Sequence, residues 1–184
     1  VADSRSVRAA MSPHGEKVVD KIYKKHILCK YNFNYRKGFM KIIIQRVNKA
    51  KMFVNGYFKC EIGKGIVAYI GITHNDGIKD TNYCVDKLIN LRIFDDSDGK
   101  MNLSVQDIKG ELLIVSNFTV YGNTKKGRRP DYLNSAPAEK AKEIYNLFLE
   151  KLSDTGISFG TGEFQEHMEI YSENDGPVNL IIES

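Results

Sequence analysis

Three short segments carry residue types from which a reaction site could be built. Ser116-Asn117-Phe118-Thr119-Val120-Tyr121 follows the apolar run Leu112-Leu113-Ile114-Val115. Small hydroxylated residues directly after such a run can expose hydroxyls and backbone N–H groups at a strand end, where a developing oxyanion would be held. The competing reading is structural: Ser116 and Thr119 hydrogen-bond locally and Phe118 fills core. Lys125-Lys126-Gly127-Arg128-Arg129-Pro130-Asp131-Tyr132 places four cations in five positions, with glycine and proline as punctuation. Such a loop suits phosphate groups, and a solvated basic loop has the same composition. Asn174-Asp175-Gly176-Pro177-Val178 lies between two strand-like runs. Only an X–Pro bond has a cheap cis form, about 0.5–1 kcal/mol above trans, and a preceding glycine removes the side-chain conflict of tight geometry. A cis Gly176–Pro177 bond would aim neighbouring carbonyl oxygens the same way, as a wall of acceptors; a plain hairpin turn is the alternative.

Other chemistries lack their residues. The four histidines, His14, His26, His74 and His167, form no HxxH or HExxH pair, so no metal site is expected. No GxxxxGK[ST] occurs, and Gly63-Lys64-Gly65 reads as a turn between strands. Asp96 and Asp98 before Gly99 could belong to a calcium loop, but its first position is Phe94 and its twelfth Val105, so two carboxylates are missing. Cys29, Cys60 and Cys84 are odd in number and make no CxxC pair, which points to a reducing compartment. No residue stands out as a prepared nucleophile or general base. Any reaction would rest on positioning and backbone electrostatics.

The elements that must position these segments are mostly strands. Lys41–Val47 is a β-branched, strand-like run; Lys49–Val54 and Tyr57–Ile62 flank Asn55-Gly56, a strong hairpin signal because both residues tolerate positive φ. Gly65–Ile72 reads as a buried strand and Leu112–Tyr121 as another. Helical spacing predicts one helix over Lys79–Phe94 and a second after Pro137, with Ala141, Ile144, Tyr145, Phe148, Leu149 and Leu152 as its apolar stripe. Two last strands are predicted at about His167–Tyr171 and Val178–Ile182. Helices and strands mixed without strict alternation favour an α+β fold.

The chain has 184 residues, 42% of them hydrophobic, which is room and apolar content for one domain of ordinary size. No apolar run approaches the roughly 18–20 residues that span a bilayer, and a soluble protein is expected. The net charge of +4 is unevenly spread: residues 1–39 hold nine Lys or Arg against three acids, net +6, and the rest holds 18 against 20, net −2. Residues 1–39 thus read as a basic extension, a targeting segment or an appendage outside the fold, and 40–184 as the domain. The basic loop is informative because the domain around it is slightly acidic.

In this order, the segments closely resemble the D-aminoacyl-tRNA deacylase family. The resemblance is carried by Gln45-Arg46-Val47, by Arg92-Ile93-Phe94 to Gly99-Lys100, by Ser116-Asn117-Phe118-Thr119 for the family's Ser-Gln-Phe-Thr, and by Asn174-Asp175-Gly176-Pro177-Val178-Asn179 for its Asn-x-Gly-Pro-Val-Thr. Gly127 to Tyr132 and the stretch with Gly162, Phe164 and Met168 also fit. The resemblance implies a compact, β-barrel-like α+β domain with two main helices, working as a homodimer with its active site at the interface, without metal or cofactor. The implied reaction is hydrolysis of the ester joining a D-amino acid, or glycine, to tRNA in the cytoplasm, or in an organelle if residues 1–39 are a targeting segment. Gly176 and Pro177 would be the chiral selector, projecting into the partner's pocket, with Arg46 bracing them. Ser116, Asn117, Phe118 and Thr119 would form the reaction pocket, the backbone N–H groups of Asn117 and Phe118 serving as oxyanion donors. Phe164 and Met168 would contact adenine, and Lys125, Lys126, Arg128 and Arg129 would hold tRNA phosphates, with neither DNA nor a membrane as partner. Asn117 for Gln and Asn179 for Thr are departures from the family pattern. A non-catalytic RNA-binding module using the Lys125–Arg129 loop is the reading from a different class.

Overall fold

The computed structural model describes residues 39–184. The expected basic extension lies outside the described residues except for Phe39, and His14, His26 and Cys29 lie there with it. Among the described residues, no helix is long and apolar enough to cross a membrane.

The fold is organised on one long strand, β1 (Lys41–Val54), which is continuous where two strands were expected. One edge of β1 pairs with β3 (Gly65–Gly71) over its first half and with β2 (Tyr57–Ile62) over its second. The β1–β2 turn is the expected hairpin, with Asn55 and Gly56 at φ 51° and 82°. The other edge pairs along its whole length with β8 (Met168–Glu183). β6 (Glu111–Ser116) adds to β3 in parallel, and β7 (Phe159–Thr161) adds to β6. The sheet curls into a nearly closed barrel with helices α1 (Ile78–Asn90) and α2 (Ala138–Ser153) outside it. A small hairpin of β4 (Phe94–Asp95) and β5 (Met101–Leu103) lies off the main sheet. The α+β, barrel-like expectation holds.

Alternation along the strands makes two cores. Ile66, Ala68 and Ile70 of β3, with Leu112 and Ile114 of β6, join Leu88, Tyr145, Phe148 and Leu152 in the core beneath the helices. The residues between them, Val67, Leu113 and Val115, point the other way and meet Ala50, Met52 and Val54 inside the barrel. A period of two sends alternate side chains to opposite faces, and both faces here are covered. The β1 strand itself changes sides: Ile42 and Ile44 belong to the first core, Ala50 and Met52 to the second. These are all even-numbered positions, so one residue must slip the phase, and the register shift between Val47 and Lys49 is that slip.

Four predicted elements end differently. The first helix stops at Asn90 rather than Phe94, because Leu91 turns extended and Phe94 is drawn into β4, buried opposite Leu103. The strand from Leu112 stops at Ser116 and is followed by a 3₁₀ turn, Phe118–Tyr121, rather than running to Tyr121. The two final strands are one strand, β8, and Asn174–Pro177 is no hairpin. From Gln45 to Val47, β1 advances two residues while β8 moves from Asn179 to Asn174, so Asp175–Val178 bulge opposite Arg46.

The α2 stripe is as predicted, and Phe148 on it is fully buried. Phe148→Ala is expected to destabilise the fold by about 3–5 kcal/mol in urea unfolding, the sum of lost transfer energy and a cavity between helix and sheet.

Candidate active site

The Ser116–Thr119 segment lies at the C-terminal ends of two adjacent parallel strands. Ile70 of β3 pairs with Ser116 of β6, and the Asn117 N–H extends the ladder by donating to the Ile70 carbonyl at 2.8 Å. The chain then leaves the sheet as the 3₁₀ turn. The Asn117 side chain caps it: its Oδ1 accepts from the Thr119 N–H at 3.0 Å and from the Thr119 hydroxyl at 2.6 Å. Gly122 closes the turn by donating to the Thr119 carbonyl at 2.8 Å. An asparagine in place of glutamine therefore has a defined local task here.

This geometry changes one expectation. The Asn117 N–H is consumed by the sheet and is not free to serve as an oxyanion donor. The Phe118 N–H donates to no acceptor among the described residues. The Thr119 hydroxyl donates to an amide oxygen, which is no base, so nothing prepares it as a nucleophile.

Ser116, Asn117, Phe118 and Thr119 line one wall of an open cavity of about 750 Å³. Phe164 and Met168 line it as well, across from the turn in sequence but in the same cavity. Gly162 makes room for Met168: a Cβ built on it would lie 2.3 Å from the Met168 sulfur. Tyr132 lines the mouth, its ring edge-to-face with Phe118 at 5.0 Å, and Ala138 and Ala141 line the α2 side. Among the described residues, the lining holds a single carboxylate, Glu166, and no histidine, cysteine, lysine or arginine. The positive end of α2 begins at Ala138, on the cavity wall.

Lys125, Lys126, Arg128 and Arg129 are all exposed, on a loop that leaves the turn after Gly122 and returns at Tyr132. None takes part in an ion pair among the described residues.

Gly176, Pro177 and Arg46 sit apart from this cavity. The Gly176–Pro177 bond is cis, Gly176 has φ +112°, and both residues are exposed. Arg46 lies directly beneath the bulge: its Nε reaches the Asp175 carboxylate at 2.9 Å, and its Nη1 donates to the Ile93 carbonyl at 2.6 Å. A Cβ on Gly176 would stand 3.1 Å from Arg46 Nη2 and 2.9 Å from Val178. At the bulge's far end, the Asn179 side-chain oxygen accepts from Gln45 at 3.1 Å and Asn174 at 2.9 Å. The amide at this position thus ties β1 to both sides of the bulge.

Residues 43–183 match the D-Tyr-tRNA(Tyr) deacylase family. The chain belongs to the D-aminoacyl-tRNA deacylase family. It is 49% identical over 144 residues to the D-aminoacyl-tRNA deacylase of Carboxydothermus hydrogenoformans, covering 78% of this chain and 99% of that one. The deacylase of Thermosipho melanesiensis is 50% identical over 146 residues, covering 79% and 97%. Among solved structures, the c-Myc DNA Unwinding Element Binding Protein aligns with a TM-score of 0.74 and 39% identity, covering 79% of this chain and 99% of that one. A probable eukaryotic D-amino acid tRNA deacylase shares the fold, with a TM-score of 0.67 at 16% identity, covering 79% and 100%. As a deacylase the protein is a hydrolase.

Sequence reasoning missed several residues in and around these features. Ala138 and Ala141 read as helix residues, yet their small side chains leave the cavity its width. Asp95, whose carboxylate stands 3.6 Å from Arg46 Nη1, carried no signal beyond following Phe94. Asp76 was also missed. It is almost wholly buried, accepts from the Thr73 N–H at 2.8 Å, and leaves its other oxygen without a partner among the described residues. Thr73 in turn donates from its hydroxyl to the Asn134 carbonyl at 2.6 Å, beside Ser135 and Ala136 of the cavity wall.

Burial pushes the Asp76 carboxyl up to about 7, helped by the nearby charge of Asp80. A raised folded-state pKa means the native protein holds a proton that the unfolded chain has released. The resulting stabilisation is complete below about 4 and lost as pH rises through about 7. Asp76→Asn does not titrate, so its melting temperature should gain on the wild type as pH is raised from about 5 to about 8. A difference that stays constant over that interval would show that Asp76 is not proton-linked to folding.

Proposed function

We propose that this deacylase acts as a homodimer on the ester between a D-amino acid, or glycine, and the terminal adenosine of tRNA. The observation that carries the reading is the capped turn at Ser116–Thr119. Among the described residues it leaves one backbone donor, the Phe118 N–H, unpaired on the wall of a cavity that also holds Phe164 and Met168.

Water adds to the ester carbonyl carbon, the C–O bond to adenosine breaks, and a proton goes to the departing ribose oxygen. The adenosine's own 2′-hydroxyl can relay that proton, so the cavity needs no side-chain base. The Phe118 N–H stabilises the oxyanion, helped by the positive end of α2. Ser116 and Thr119 line the carbonyl side, and Phe164 and Met168 take the adenine. The four loop cations hold phosphates of the tRNA backbone.

Selection comes from the partner. The Gly176–Pro177 turn lines no part of its own chain's cavity, yet it is exposed and braced by Arg46. In the dimer it enters the partner's cavity and presents carbonyl oxygens where an L side chain would project. Glycine and D-residues leave that space empty, so both are accepted. Leu180 and Ile181, 41% and 65% exposed just beyond the turn, supply apolar surface for such an interface. Residues 1–39 are an appendage to the deacylase domain at 40–184. Action in the cytoplasm is the simplest reading, and an organelle replaces it if that appendage is a targeting segment.

Incubation with D-aminoacyl-, glycyl- and L-aminoacyl-tRNA should give cleavage of the first two and sparing of the third. Tight tRNA binding without cleavage of any ester would leave only the RNA-binding module. For the cross-subunit arrangement, Gly176→Val disables the selector turn and Ser116→Phe obstructs the cavity. Each homodimer should be inactive or unselective, and co-expression should restore selective activity to about a quarter of wild type, from the one intact site in each heterodimer. No recovery would mean that both parts act within one chain.

A further inference from the structure

The basic loop and the reaction turn are joined at a neck. Asn123 directly follows the residue that closes the 3₁₀ turn, and it pairs with Asp131 across the base of the loop. The Asn123 N–H donates to the Asp131 carbonyl at 2.8 Å, the Asp131 N–H returns to the Asn123 carbonyl at 3.1 Å, and the Asn123 side-chain amide donates to the Asp131 carboxylate at 2.9 Å. Residues 124–130 are therefore a closed loop, and everything it bears hangs from this pair. Immediately beyond the neck, Tyr132 packs its ring on Phe118, with the planes at 77°. The chain after Tyr132 is fixed to the β3–α1 connection, where the Ala136 N–H donates to the Ile72 carbonyl at 2.9 Å.

We infer that Asn123 and Asp131 are positioning residues that couple phosphate binding on the Lys125–Arg129 loop to the placement of the Phe118 N–H. Contacts to the tRNA backbone thereby raise kcat as well as affinity. The inference rests on the deacylase reading above. A loop tethered only by its chain ends would bind phosphates and leave the turn as free as before. With three hydrogen bonds across its base, loop and turn move as one body, so ordering the loop removes freedom from the donor. Binding energy gained away from the ester is then used for orientation at the ester. The neck holds the turn from its C-terminal end while Tyr132 holds Phe118 at its start.

The test compares D-aminoacyl-tRNA with 2′(3′)-O-D-aminoacyl-adenosine, which carries the ester and the adenine but no backbone phosphate. For the wild type, kcat should be about tenfold higher on the tRNA. Asn123→Ala and Asp131→Ala should bring that ratio towards one, and Asp131→Asn, which keeps an acceptor for the Asn123 amide, should retain most of it. Changing Lys125, Lys126, Arg128 and Arg129 together to Gln alters only exposed side chains. It should also collapse the ratio while raising KM for tRNA, and this variant decides the matter if the neck variants fail to fold. Equal kcat on both substrates in the wild type overturns the inference, as does a neck variant that keeps the full ratio while losing activity on both. A wild type that cleaves neither ester would instead refute the deacylase reading itself.

Discussion

A charged guanidinium withdrawn from water must be given acceptors, and Arg46, 6% exposed, sets that requirement in the middle of β1. Arginine does not deprotonate at accessible pH, and a buried charge left unpaired costs several kcal/mol. The acceptors come from two distant parts of the chain: the Asp175 carboxylate on the bulge of β8, and the Ile93 carbonyl and Asp95 carboxylate at β4. One side chain therefore links the long β1–β8 pairing to the segment that leaves α1. The bulge of β8 lies over it: Asp175–Val178 are surplus residues opposite Arg46, so the Gly176–Pro177 turn stands out from the sheet.

The second constraint is the parallel pairing of β3 with β6. Their C-terminal ends lie side by side, and both chains must leave the sheet there. On β6 the exit is a capped 3₁₀ turn; on β3 it is the Thr73 segment, which holds the far wall of the cavity. Parallel strands that end together leave a crevice beyond their carboxyl ends, and here the two exits border it. The two interleaved cores make these exits rigid, because side chains on both faces of β3 and β6 are buried.

The chemistry available in that crevice is sparse. The Thr119 hydroxyl is engaged by an amide oxygen, and Glu166, the one carboxylate in the lining among the described residues, accepts a hydrogen bond from Asn55 at 2.9 Å. A cavity of this composition suits a reaction that needs orientation and charge stabilisation more than it needs a strong acid or base. An activated aminoacyl ester fits that description. Asn117 illustrates the economy: its backbone extends the sheet while its side chain caps the turn, and the donor left over belongs to the next residue.

Local patterns were legible in the amino-acid sequence. β-branched and apolar runs marked β1, β3 and β6, the spacing of Ile144, Tyr145, Phe148 and Leu152 marked α2, and Asn55-Gly56 marked a hairpin, because each depends on neighbours within a turn or two of chain. The ordered motifs likewise singled out the Ser116–Thr119 segment, the basic loop and the Gly-Pro pair as candidates. What the sequence could not decide was register. Asn174–Pro177 has the composition of a hairpin, and only pairing of β8 along the whole of β1 turns it into a bulge over Arg46. The same holds for the Asn117 N–H, which is free or consumed according to where β3 lies, and for the cavity that unites Ser116–Thr119 with Phe164 and Met168. Periodicity and turn chemistry are short-range and written residue by residue, whereas strand register and the meeting of distant segments are set by burial and hydrogen bonding between parts of the chain that no local pattern connects.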